Sequence, residues 1–93
     1  MSKAEKKING VLRVLTALLE LGEATAVELQ KKARISNYYT LRTYIEALKE
    51  VEFIEEEYSS GPPAKYIIKL TEKGKQAAEH AKAILELARI SIG

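Results

Sequence analysis

Two helix-start signals stand eleven residues apart in this chain of 93 residues, and that spacing limits what it can fold into. Thr25 with Glu28 three positions on has the form of a capping box, and the run AVELQKKAR behind it puts Val27, Leu29 and Ala33 on one side of a short helix. That helix is expected to end around Arg34. Ser36 then opens another helix as its N-cap, and two helices joined this closely form a helix-turn-helix candidate.

The helix after the turn is expected over Asn37 to Glu50, and its 3.6-residue period divides the side chains into two faces. Leu41, Tyr44, Ile45 and Leu48 share the core side with Tyr38 at its margin, while Tyr39, Arg42, Thr43, Glu46 and Lys49 share the other. No acid stands in this segment before Glu46. With Tyr39 rather than a carboxylate at the third helical position, the first amides are left free for a phosphate at the positive helix end.

Upstream, Ser2 and Glu5 fit another capping box, and Ile8, Val11, Leu12, Leu15, Leu18 and Leu19 recur at helical spacing up to Gly22, a favourable stop. Val14 and Leu21 widen the apolar face to roughly half the circumference. The surplus needs a second cover, either another helix of the fold or a partner subunit.

Downstream, FIEEEYSSGPPAKYIIKLT reads as a hairpin, with strands from Phe53 to Tyr58 and Lys65 to Leu70 around a breaker loop from Ser59 to Ala64. Tyr66, Ile68 and Leu70 are expected inward, Lys65, Ile67 and Lys69 outward, and Glu55 and Glu57 pair across the strands with the lysines. Thr71 caps a last, alanine-rich helix whose stripe is Ala77, Ala78, Ala81, Ile84, Leu85, Ala88 and Ile92. Small side chains admit a partner helix at close range, and the run is longer than a small domain needs. A dimerisation surface of Val14, Leu21, Ala77, Ala81, Ile84, Leu85, Ala88 and Ile92 is therefore expected. The unit divides into residues 1–71 and a C-terminal helix over 72–93, packed as one compact body.

The chain has no cysteine and no aspartate, which removes disulfides, thiolate metal sites and cysteine nucleophiles. Its one histidine, His80, borders the apolar stripe of the last helix, and no glycine-rich phosphate loop or metal-ligand spacing occurs. An enzyme is not expected, nor any cofactor or metal, and nothing points to a particular small-molecule effector. The longest apolar-rich segment is far short of the ~20 residues that span a bilayer, so the protein is expected to stay in the cytoplasm. All 13 acids are glutamates and Asn and Gln occur twice each, a bias associated with growth at high temperature. The net charge of +2 is modest, but residues 1–50 carry nine Lys and Arg against six Glu.

The order helix, helix-turn-helix, hairpin, helix, with YIEALKEVEFIEEE followed by KYIIKLTEKG, resembles the winged helix-turn-helix regulators of the MarR and PadR type and the small winged-helix proteins of hot-spring archaea and their viruses. The likeness covers residues 8 to about 80. Its most specific pieces are Tyr44-Ile45-x-x-Leu48 leading into Phe53-Ile54, and Leu70-Thr71-x-x-Gly74. It implies a mainly α protein with a small β-hairpin wing (α+β) and a long C-terminal dimerisation helix. Such proteins often carry Gly between the recognition helix and the first wing strand. Glu52 stands there instead, so the helix end is expected to turn differently.

The resemblance further implies a sequence-specific regulator that binds double-stranded DNA as a homodimer on a palindromic site, with the third helix in the major groove. Carried over by position, the reading face is Asn37, Tyr39, Thr40, Arg42, Thr43 and Glu46, the same side chains that the helical period leaves outside the core. Arg42 suits guanine, Thr40 and Thr43 suit base edges or a thymine methyl, Tyr39 suits a phosphate, and Glu46 suits either a cytosine amino group or a bond to Arg42 or Lys49. Lys31, Lys32 and Arg34, beside Gln30, are the candidate phosphate contacts near the turn, and Lys65 is the one on the wing. The alternative is a winged helix that serves as a protein-protein interaction module, for which an apolar patch in place of this face is expected.

Overall fold

The computed structural model describes residues 3–92, and the side-chain surroundings of residues 9–87. Helix α1 spans Lys3–Leu21, strand β1 Glu23–Ala24, α2 Ala26–Ala33, α3 Tyr38–Glu50, β2 Ile54–Ser59, β3 Lys65–Leu70 and α4 Glu72–Ile92. The capping residue Ser2 and the side chains of Glu5 and Ile8 lie outside the described residues. Among the described residues no helix is long and apolar enough to cross a membrane.

Each helix starts and stops for a local reason. Gly22 ends α1 at φ 81° and donates its amide to the Leu18 carbonyl at 2.8 Å. Thr25 opens α2 with both halves of the capping box in place, the hydroxyl accepting from the Glu28 amide and the Glu28 carboxylate accepting from the Thr25 amide at 2.9 Å. The capping residue of α3 is Asn37 and not Ser36: Asn37 has the extended φ of −105°, and its Oδ1 accepts from the Tyr39 and Thr40 amides at 2.8 and 3.2 Å.

Helices α2 and α3 end alike, in Schellman turns closed by non-glycine residues. Arg34 stands at φ 57° with its amide to Lys31 and that of Ile35 to Gln30; Glu52 stands at φ 63° with its amide to Lys49 and that of Phe53 to Leu48. In both, the residue after the turn drops inward, Ile35 fully and Phe53 partly. Contrary to expectation, then, α3 turns out in the left-handed way that glycine usually serves, and Glu52 bears the strain.

The sheet has the order β1-β3-β2 and is antiparallel throughout. The hairpin pairs Ile54 with Leu70, Glu56 with Ile68 and Tyr58 with Tyr66. Strand β1, absent from the sequence reading, sets Glu23 against Lys69 and Ala24 against Ile68. One core joins α1, α2, α3, the sheet and the start of α4 through Val14, Leu18, Leu29, Leu41, Ile45, Ile68 and Ala78.

Thr71 fastens the exit of α3 to the start of α4. Its hydroxyl donates to the Glu52 carbonyl at 2.6 Å and accepts from the Gly74 amide at 3.0 Å, while its own amide donates to the Phe53 carbonyl at 3.0 Å. Gly74 packs so closely on that same carbonyl that there is no room for a Cβ. The spacing Leu70-Thr71-x-x-Gly74 is thus a physical joint.

Three expectations about inward faces fail. Val27, expected inward with Leu29 and Ala33, is 55% exposed, because it lies about 200° round α2 from buried Leu29. Tyr38 is exposed, because the first turn of α3 projects past the core. Tyr66 is 59% exposed although it alternates with buried Ile68 and Leu70, because the hairpin runs on beyond the body that covers it.

A candidate nucleic-acid interface

Helix α3 presents a graded surface. Tyr39 stands outermost at 81% exposure, Asn37 and Thr43 are exposed, and Thr40 is half-buried. The Thr43 hydroxyl donates to the Tyr39 carbonyl at 3.0 Å, so toward a ligand it offers mainly its lone pairs and its methyl. The amides of Tyr39 and Thr40 are already taken by Asn37, which corrects the expectation that they are open to a phosphate. With Asn37 as the cap, the third helical position is Thr40, not Tyr39.

Arg42 sits on the flank of α3 that faces the hairpin. Its Nη1 donates to Glu56 Oε2 at 3.1 Å and its Nη2 to Glu46 Oε1 at 2.9 Å. Lys49 adds contacts of 3.3 Å to Glu56 and 3.7 Å to Glu46, closing a quartet with no net charge. The hydrogen bond from Arg42 holds the Glu56 carboxyl below its usual range, and the same bond raises the guanidinium. Glu46 therefore binds Arg42 and Lys49, the second of the two roles expected for it. Arg42 belongs to the face but is held in place, with its remaining donors free.

Glu56 was missed in the sequence, where only Glu55 and Glu57 received partners. The alternation that turns Glu55 and Glu57 outward also turns Glu56 toward α3, so the signal was present. Of the expected cross-strand pairs, Glu57 meets Lys69 at 2.8 Å, and its hydrogen bond raises the Lys69 ammonium.

Around the turn, Lys31, Lys32 and Arg34 are all exposed, and Lys32 meets Glu20 at 3.1 Å. Gln30 donates to the Ser36 carbonyl at 3.4 Å and braces the turn. Lys65 is exposed at the base of the hairpin tip. Beside it Tyr58 and Tyr66 form a cross-strand pair with ring centroids 5.1 Å apart, both 59% exposed, a second aromatic feature that the sequence reading overlooked.

The expected dimerisation residues do not form one surface. Val14 is fully buried and Ala81 nearly so, and Ala77 packs on the core, because α1 and α4 lie against each other within the chain. These three face their own core. Leu85 is half-buried, whereas Leu21, Ile84 and the unforeseen Leu87 are exposed at 39%, 51% and 65%. The side chains of Ala88 and Ile92 lie outside the described residues.

A helix-turn-helix whose second helix stands beside a β-hairpin wing, with a long helix after it, is the winged helix-turn-helix fold. Solved structures of that class match the chain over most of its length. BpsR of Bordetella bronchiseptica, whose DNA binding is regulated by 6-hydroxynicotinic acid, matches 88% of this chain at 26% identity with a TM-score of 0.78; this chain spans 61% of it. F-93 of the archaeal virus SSV1 matches 86% of this chain and 89% of its own at 24% identity and a TM-score of 0.73. A PadR family transcription regulator of Clostridium difficile matches 89% of this chain and 98% of its own at 19% identity and a TM-score of 0.68. No protein-family model and no curated protein matches the sequence.

Proposed function

We propose that this protein is a transcription regulator that binds double-stranded DNA as a homodimer, with α3 in the major groove of each half of a palindromic site. The observation that carries the reading is the exposure of Lys31, Lys32, Arg34, Asn37, Tyr39 and Thr43, a set that is basic at the turn, where Glu20 meets Lys32, and that along α3 is rich in hydrogen-bonding groups and free of acids until Glu46. Phosphate contacts at the turn and from Tyr39 set the register, while Thr43 and the remaining donors of Arg42 meet base edges. The likeness to DNA-binding regulators supports the same reading. Cytoplasmic residence and an archaeal, heat-adapted source are part of this proposal, the archaeal source resting on the likeness to archaeal and archaeal-virus winged-helix proteins and the heat adaptation on composition.

Selection of bound duplexes from random DNA tests it. A two-fold symmetric motif is expected, together with an affinity that drops ~10³ to 10⁵-fold between 50 and 200 mM salt if the dimer neutralises ~6 to 10 phosphates. Arg42→Ala relaxes preference at one position of each half-site, whereas Lys31→Ala weakens all sequences alike. The exposed Tyr58 and Tyr66 favour one second reading, a module that docks on another protein. Under that reading the random duplexes yield no motif.

A further inference from the structure

Arg13 on α1 is the one residue among those described that holds a buried side-chain polar atom, its Nε, without a hydrogen-bond partner. Nor does it have a carboxylate within ion-pair distance among the described residues, although the chain carries 13 glutamates. A guanidinium with an unmet buried donor is an unusual thing to keep in a folded protein unless something supplies the acceptor.

The Nε itself is closed to solvent, but other atoms of Arg13 reach an open crevice, and the chemistry of its wall says what kind of ligand would meet the guanidinium. Arg13 lines this crevice of about 400 Å³ between α1, the α2–α3 turn and the first turns of α3, whose walls are Asn9, Arg13, Arg34, Ile35, Ser36, Asn37, Thr40 and Tyr44. The wall has two guanidinium groups, three hydroxyls and two side-chain amides, and no carboxylate at all. The positive end of α3 borders it, and Arg34 is held at the rim by the left-handed turn that closes α2. Ile35 and Tyr44 leave part of the wall apolar. We infer that this crevice is an oxyanion site in which Arg13 and Arg34 clamp a phosphate or carboxylate group.

The inference goes beyond the proposed function, since Arg13 on α1 has no part in that reading, although Arg34 of the turn and Asn37 and Thr40 of the proposed reading face share the crevice wall. The same chemistry has two sources: a phosphate of bound duplex DNA reaching in past the turn, or the acidic group of a free organic anion, for which the volume is ample. Either one would brace α1 against the start of α3.

The full-length protein labelled with ¹⁵N provides the test, through the Nε–H resonance of Arg13, assigned by its loss in Arg13→Gln. Titration with sodium phosphate against sodium chloride at equal ionic strength is expected to move that resonance saturably. Arg34→Gln, an exposed change that leaves the fold intact, is expected to weaken the titration several-fold. If the occupant is a DNA phosphate, a bound duplex moves the same resonance, abolishes the response to phosphate, and Arg13→Gln lowers the salt slope by about one. If it is a free anion, the phosphate response persists on the duplex complex. A resonance that neither phosphate nor a bound duplex moves overturns the site, and a chain that binds phosphate there but no duplex overturns only the proposed function.

Discussion

Glu56 on strand β2 meets Arg42 on helix α3 at 3.1 Å, and its side chain is only 10% exposed. This contact ties the wing to α3 through Arg42, the residue to which the proposed function gives a base contact. It fixes the Arg42 rotamer, which lowers the entropy lost on binding, and it neutralises charge that would otherwise attract any phosphate. Under the proposed function, preorganisation and restraint of non-specific binding would both come from one carboxylate.

Glu56→Gln is therefore expected to have two opposite effects. The fold loses about 1 kcal/mol as a charged hydrogen bond becomes a neutral one, read as a lower midpoint in urea. Non-specific duplex affinity rises, and the salt slope steepens by about one, because Arg42 and Lys49 gain a net charge. An unchanged slope would mean that the quartet does not govern the electrostatics of the face.

The same carboxylate shapes the acid limb of stability. Its folded-state pKa lies below the ordinary 4.5, chiefly through the bond from Arg42, so its contribution is complete above that value and is lost as the pH falls through the lowered one. Glu28 is depressed as well, by hydrogen bonds from the Thr25 backbone and hydroxyl. Thermal midpoints between pH 7 and 3 should therefore decline below about pH 4.5. The decline should be shallower in Glu56→Gln, while the Glu28 contribution remains in both proteins.

Much of this architecture is legible in the sequence, for physical reasons that also mark where legibility stops. The Thr25–Glu28 box and the strand Lys65–Leu70 are local features and appear where expected. Strand β1 has two residues and exists only through its pairing with β3, which no local pattern encodes. Ser36 and Asn37 are both good caps, and only the φ at Asn37 decides between them. The helical period located Val14 and Ala81 on apolar stripes correctly, but a stripe does not say whether its cover comes from the same chain. Here α1 and α4 cover each other. At the site, the exposed residues of α3 followed from the period, whereas the hold of Glu56 on Arg42 and the unmet donor of Arg13 depend on contacts between distant elements.

Glu52 and Arg34 offer a paired test of backbone strain. Each holds a left-handed conformation that glycine adopts freely, so Glu52→Gly and Arg34→Gly are each expected to raise stability by about 0.5 to 1 kcal/mol in denaturant unfolding. Only Arg34→Gly should also weaken DNA binding, since Arg34 lies at the turn. If Glu52→Gly destabilises instead, its side chain contributes more than its φ costs.

At Gly74 two principles predict opposite signs. Within an exposed helix Gly→Ala gains about 1 kcal/mol. In this place the added methyl meets the Phe53 carbonyl, which is itself held by the Thr71 amide and cannot retreat cheaply. Gly74→Ala is therefore expected to cost about 3 kcal/mol, the upper range of overpacking, with a matching drop in the thermal midpoint. A stabilised variant would show that the joint between α3 and α4 yields.

The proposed dimer is best tested away from the core. Ala81→Glu would bury a charge against α1 and unfold the chain whether or not subunits pair, because Ala81 is 1% exposed. Ile84 and Leu87 are 51% and 65% exposed on α4, large apolar side chains without cover from their own chain. The double change Ile84→Glu with Leu87→Glu is expected to leave the helical circular dichroism intact and to halve the mass seen by light scattering. It should also weaken binding to a two-half-site duplex far more than to a single half-site, because joined half-sites share one association cost. If the parent chain is itself a monomer, or the mass of the variant does not change, α4 is not the interface and the palindromic geometry goes with it.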